Sequence, residues 1–166
     1  ARERIAFKYI LYYTIHIMTT ILLIGFLGAV ISAITGTLWY MDKTPMGHWH
    51  MQYLGFDKLS DEEKKKLIAE AKPKMWKTYS AQMLLSFLTS FFIGFVTSFT
   101  VKSGGPASAV FYYVPMIWAA FTLPMIGQNI LWGNSEGALA WKRFFSDAFY
   151  NLITFLIIAF LATVLV

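Results

Sequence analysis

The chain has 166 residues, 57% of them hydrophobic and only 14% charged. A soluble domain carries nearer a quarter charged residues, and here four long apolar stretches are almost free of charge, the pattern of a chain that faces lipid. There is no cysteine, which excludes disulfides, thiol nucleophiles and thiolate metal sites. The net charge of +5 is accounted for by Lys and Arg flanking the apolar stretches, where they meet lipid phosphates. No aromatic-and-basic pattern points to RNA or DNA, so membrane lipids are the expected partners and nucleic acid is not.

Arg2 and Arg4 lead into the first apolar stretch, residues 9–40. It is far too long for the core of a signal peptide and predicts a retained transmembrane helix that tilts or begins among the headgroups. Gly28, Ser32 and Gly36 recur every four residues along it, a smooth stripe fit for close helix packing. Trp39 and Tyr40 end it, as interfacial aromatics do.

Residues 41–78 form the one long connection, predicted as an extramembrane helical loop. After Pro45, the residues Met46, Trp49, Tyr53 and Phe56 share one face at helical spacing and suit the membrane interface. Ser60 and Glu63 have the spacing of a capping box, with Asp61, Glu62 and Glu63 at the positive end of a helix dipole. Lys64, Lys65 and Lys66 follow, and Pro73 is expected just past this helix's end.

The second span covers residues 79–101 and carries Ser86, Ser90, Gly94 and Ser98, again every four residues. The two smooth stripes predict that the first and second spans pack together. A turn at Lys102, Ser103, Gly104, Gly105 and Pro106 leads to the third span, residues 107–132, with Pro115, Pro124, Gly127, Gln128 and Asn129. Pro124 and Gly127 are placed to kink or interrupt it. Trp132 and Trp141 flank the last short loop as interfacial residues. The fourth span, residues 144–166, carries Asp147, Asn151 and Thr154 at i, i+4 and i+7.

These elements predict an all-α membrane protein: a single transmembrane domain over residues 1–166, with four transmembrane helices and an interfacial, amphipathic helical loop between spans one and two. An even number of spans puts both termini on one side with Arg2, Arg4, Lys8 and Lys102, whereas ten basic residues lie on the other. The positive-inside rule then places the long loop on the cytoplasmic or matrix side of a bacterial inner membrane or an organelle membrane.

A carboxylate within a span costs on the order of 3 kcal/mol on insertion scales, less near the edge, so Asp147 is expected to face the bundle with Arg143 one turn away. Gln128, Asn129, Asp147 and Asn151 are the candidate polar cluster. It is either a pocket for an ion, a proton or a lipid headgroup, or a hydrogen-bond knot joining spans three and four. Only His16 among the three histidines lies in a span, which leaves bis-histidine haem unsupported, and His48 with His50 gives too few ligands for a metal site. No catalytic constellation and no phosphate loop is present, so no cofactor is expected and no catalytic residue is assigned.

Leu38, Trp39 and Tyr40, then Trp49, then Asp61, Glu62 and Glu63, then Trp118 through Pro124 to Asn129 and Trp132, then Trp141 through Tyr150 follow one another in an order and spacing that resemble the small four-span membrane family called domain of unknown function 1761. The resemblance runs from Gly28 to the C-terminus. That family follows its Trp-Tyr with Ser-Pro and then Phe-Gly-Lys, whereas Met41 and Asp42 stand here, with Pro45, Met46 and Gly47 later. The resemblance implies a four-span fold and no mechanism. The chain is therefore expected to be a non-enzymatic accessory or structural subunit that meets other membrane subunits. The alternative is a small carrier or sensor that binds a lipid, quinone or ion near Asp147.

Overall fold

A backbone in lipid has no water to bond, so apolar stretches of this length close their own hydrogen bonds as helices. The computed structural model describes residues 2–131 and 137–166, and the described residues contain helices, turns and no strand. The first helix, α1, spans Arg2–Trp39. A short helix α2, Pro45–Tyr53, and a single helical turn follow it, and then the 42-residue α3, Asp61–Lys102. The third span is composite: α4, Val110–Ile117, a widened turn at Trp118–Thr122, and α5, Leu123–Leu131. The last helix, α6, is Gly137–Leu165. Four segments are long and apolar enough to cross a bilayer, namely Leu11–Trp39, Asp61–Lys102, Ala107–Ile130 and Gly137–Leu165, so the chain is an all-α membrane protein. Trp132 lies outside the described residues.

Two small-residue stripes set how the helices meet. A Cβ on Gly28 would overlap the side chain of Ser90, so α1 and α3 approach with almost nothing between their backbones. Gly94 on α3 receives Ile24 in return, at 3.1 Å from where a Cβ would stand. Further along, α1 changes partner. At Gly36 a Cβ would lie 3.0 Å from the Tyr150 hydroxyl of α6, and that hydroxyl donates to the Ser32 carbonyl at 2.9 Å. One stripe at intervals of four therefore serves α3 through Gly28 and α6 through Gly36. Between these contacts lies the apolar core of Ile24, Ile93, Val110, Val114, Ile158 and Ala159.

Pro124 explains the widened turn. It has no N–H to offer the Ala120 carbonyl. The Leu123 N–H reaches back five residues to the Trp118 carbonyl, the geometry of a π-turn. The Trp118 indole donates to the Ala148 carbonyl of α6 at 3.1 Å and pins this turn to the bundle.

The loop between the first two spans differs from the expectation in one respect. The capping box forms: the Ser60 amide donates to Glu63 at 2.8 Å, and the Glu63 amide donates to the Ser60 hydroxyl at 3.3 Å. The helix it opens does not stop before Pro73, however, but runs through it into the second span as one helix. A proline inside a helix costs roughly 3 kcal/mol, mostly through a lost hydrogen bond and a clash with the carbonyl four residues back. Here that carbonyl belongs to Ala69, which is exposed and open to solvent. At 1.5 Å per residue α3 is about 63 Å long, roughly twice the hydrocarbon thickness. From Lys65 to Leu85 every residue of it is exposed except the half-buried Met75.

The contact at Gly28 predicts a sharp size limit. Gly28→Ala should lower the unfolding free energy in detergent by about 1–3 kcal/mol, the usual range for overpacking. Gly127→Ala should be near neutral, because its Cβ would meet only Phe144, at 3.6 Å. Thermal melts of the two purified variants compare them directly.

Candidate functional site

The end of α1, the short α2 and the start of α6 converge on one polar junction. Asp147 lies about three turns into α6, half-buried with its carboxylate towards the bundle. The Tyr40 hydroxyl donates to one carboxylate oxygen at 2.6 Å, and the Arg143 Nε donates to the other at 3.3 Å. Arg143 and Asp147 are four residues apart on the same helix, which brings them together without help from any other element. Tyr40, just past the end of α1, comes from 107 residues away, so this bond is one of those that tie the first span to α6. Next to it, the Trp39 indole donates to the Ser146 hydroxyl at 3.1 Å.

Helix α2 is seated on the same junction. Thr44 caps it: its hydroxyl accepts from the Gly47 amide at 2.9 Å and lies 2.7 Å from the Trp39 carbonyl, to which it can donate. Gly47 is required here, since a Cβ would run into the Met41 carbonyl. This contact holds α2 against the end of α1 and turns His50 to within 5.0 Å of the Tyr40 ring. Tyr53 and Trp49, one turn apart, receive cations from α6. The Arg143 guanidinium stacks 3.4 Å above the Tyr53 ring and the Lys142 ammonium lies 5.6 Å from that of Trp49. Such contacts contribute roughly 0.5–2 kcal/mol, more where desolvated.

Burial, then the carboxylate beside it, raises the Tyr40 phenol well above its usual pKa, so Tyr40 stays a donor. Burial and then the nearby Arg143 lower the pKa of His50, against a weaker opposite pull from Asp147. A cavity of about 390 Å³ adjoins the junction between Thr35, Trp39, Thr44, Met46, Tyr150 and Thr154. The hydroxyls of Thr35 and Thr154 lie 3.2 Å apart beside it.

Asp147 and Asn151 come together as their spacing requires, with the Asn151 amide donating to the Asp147 backbone carbonyl at 2.8 Å. Gln128 and Asn129 are both exposed, and among the described residues neither bonds to Asp147 or Asn151. Gly127 is the residue of α5 that meets Phe144 of α6. Successive residues turn by about 100°, so the next two point away from that contact. Trp39, Tyr40, Trp49 and Tyr53, expected at the interface, are half-buried in the junction, whereas Trp141 is exposed and packs edge-on against Phe144. The sequence offered His50 only as a weak metal ligand, and Ser146 and Tyr150 only within the family pattern. Each becomes visible as part of the site only when α1 and α6 are side by side. Among the described residues no group of three or more His, Asp or Glu side chains is placed to hold a metal ion.

The chemistry available is that of a clamp: one carboxylate accepts from Tyr40 at the end of α1 and from Arg143 of α6, and Arg143 stacks in turn on Tyr53 of α2. Tyr40→Phe and Asp147→Asn should each destabilise the purified protein, and the double variant should lose less than the sum. A coupling of about 0.5–2 kcal/mol is expected from a double-mutant cycle in detergent. A cycle with no coupling would mean that the hydrogen bond contributes nothing.

The sign of a pH effect follows from His50. Its folded pKa lies below the unfolded value of about 6.5, so the unfolded state takes up the proton first as pH falls. His50 should therefore reduce stability progressively below about pH 6.5, and His50→Gln should flatten that limb. Melting temperatures of both proteins from neutral to mildly acid pH measure it.

No curated protein and no solved structure matches the chain. A family described as protein of unknown function (DUF1761) matches residues 23–163, which takes in the second half of α1, the later spans, the Trp39 and Tyr40 pair and the Asp147 clamp. By this match over most of its length, the chain belongs to the DUF1761 family of proteins of unknown function.

Proposed function

We propose that the protein is a non-enzymatic accessory subunit of a larger membrane complex. The observation that carries this reading is the free half of α3. Helices in folded proteins draw most of their stability from packing of one face rather than from propensity. Residues 65–78, before the second span, form about four turns of helix interrupted by Pro73, yet only Met75 among them is half-buried. Leu67, Ile68 and Trp76 are exposed at 43%, 53% and 63%, in a stretch that also carries six lysines from Lys64 to Lys77. A partner that covers this surface would offset the proline and bury the apolar side chains. By the charge rule this surface lies on the cytoplasmic or matrix side.

The engagement of Asp147 supports the same reading against a carrier or sensor. Each carboxylate oxygen already has a donor, and the Asn151 side-chain N–H is committed to a backbone carbonyl, so this carboxylate is not held open for an ion or quinone.

Extraction from native membranes in mild detergent, followed by a native gel and mass spectrometry of each band, tests the proposal. The protein should migrate with a stoichiometric set of other chains, and Ile68→Asp with Trp76→Ala should release it from them while it remains membrane-inserted. Migration alone or as a homodimer would sink the proposal, as would a complex indifferent to both substitutions.

A further inference from the structure

The seam between α1 and α3 does not end where α1 does. Gly28 packs on Ser90 and Gly94 on Ile24, so the two helices run antiparallel, and α1 ends at Trp39, level with Tyr79 of α3. Inside the bundle α3 turns Ser86, Ser90, Gly94 and Thr97 inward, all of them buried. Counted back from Ser86 at the same intervals of three and four, this stripe passes Met83 and Tyr79 and goes on to Trp76, Lys72, Ile68 and Lys65. The helix is continuous through Pro73, so these residues lie on the face that a longer α1 would cover. Lys65 stands about 21 Å beyond Tyr79 at the helical rise. Every residue of the stripe from Lys65 to Tyr79 is exposed.

We propose that a helix of the partner, apolar along one stripe and acidic beside it, takes over this seam where α1 leaves it. The inference rests on the accessory-subunit reading and names the chemistry of the partner's face. Continuity is the first argument. A helix that already packs at intervals of three and four offers the same ridges and grooves to the next helix, with Ile68 and Trp76 as apolar anchors two turns apart. Charge is the second. Six lysines and a single acid, Glu70, lie between Lys64 and Lys77. Among the described residues only Lys64 of these has a carboxylate partner, Asp61 at 3.7 Å. Lys65 and Lys72 stand within the stripe itself, so a helix seated on Ile68 and Trp76 meets both ammonium groups and is matched by carboxylates there. Two other occupants fit this face worse. The potential of anionic lipid fades over about 8 Å at physiological salt, and Lys65 lies well past that distance from Tyr79, where the second span begins. A second copy in the same membrane would run parallel to the first, and a two-fold axis along the membrane normal would set Lys65 against Lys65 and Lys72 against Lys72.

Two measurements on the full-length protein in its native membrane test this. A benzophenone side chain introduced at Ile68 and irradiated there marks what touches the face, and a native gel of the mild-detergent extract shows how much partner is retained. The cross-linked peptide should come from a different chain and carry Asp or Glu three or four residues apart. Lys65→Glu with Lys72→Glu should lower the co-migrating fraction about tenfold. Lys66→Glu with Lys77→Glu, the same change of charge on the opposite face, should lower it about twofold or less. A cross-link to lipid, to a second copy or to a peptide without carboxylates overturns the inference. Equal losses from the two lysine pairs overturn it too, since the charge of the whole helix and not this face would then hold the partner. A complex that is released by Ile68→Asp with Trp76→Ala but survives Lys65→Glu with Lys72→Glu leaves the accessory-subunit reading standing and removes the acidic partner. A wild type that migrates alone removes both.

Discussion

The structure depends on a carboxylate that must be answered where water is scarce. Asp147 lies inside α6, and a charge at that depth has to face other helices and find donors. Arg143, one turn away, supplies one donor from the same helix, and Tyr40 supplies the other from the end of α1. Because the phenol is fixed, Trp39 is fixed beside it on Ser146, and the short α2 can be seated through Thr44 and Gly47. The cations of α6 then lie over the aromatic face of α2. A single half-buried charge thus helps to order the membrane-proximal half of the long loop.

The same arrangement bears on function by using up the polar groups. A site that performs chemistry or carries an ion needs at least one group whose best partner is the substrate. Here the carboxylate, the guanidinium and the nearby amide are engaged with one another or with backbone. What remains is surface at the start of α3, where a solvated helix that carries Pro73 gains from being covered.

Much of the bundle was legible because membrane helices are written in local spacing. Gly28 and Ser90 each belong to a stripe repeating every four residues, and the close contact of α1 with α3 follows from that spacing. Arg143 and Asp147 were legible for the same reason, as an i, i+4 pair on one helix. The continuity of α3 was not, because proline is a boundary signal only where the freed carbonyl lacks another partner, and exposure of Ala69 is a property of the fold. The bond from Tyr40 to Asp147 joins residues remote in sequence, and a tyrosine beside a terminal tryptophan reads as an interface anchor. Gln128 and Asn129 show a subtler limit. Their depth along the span was readable, but their direction depends on rotation about the helix, and the π-turn at Trp118–Thr122 resets that rotation.

An accessory subunit would have the start of α3 covered in its native membrane. The chain has no cysteine, so a single one introduced as Ile68→Cys reports on that surface alone. Open membrane fragments and purified protein would be treated with a water-soluble maleimide and the labelled fraction measured. Slow labelling is expected in the native membrane and rapid labelling once the protein is purified away from its partners. Equal, rapid labelling in both would show that this helix stands free where the protein works, and no partner would then cover it.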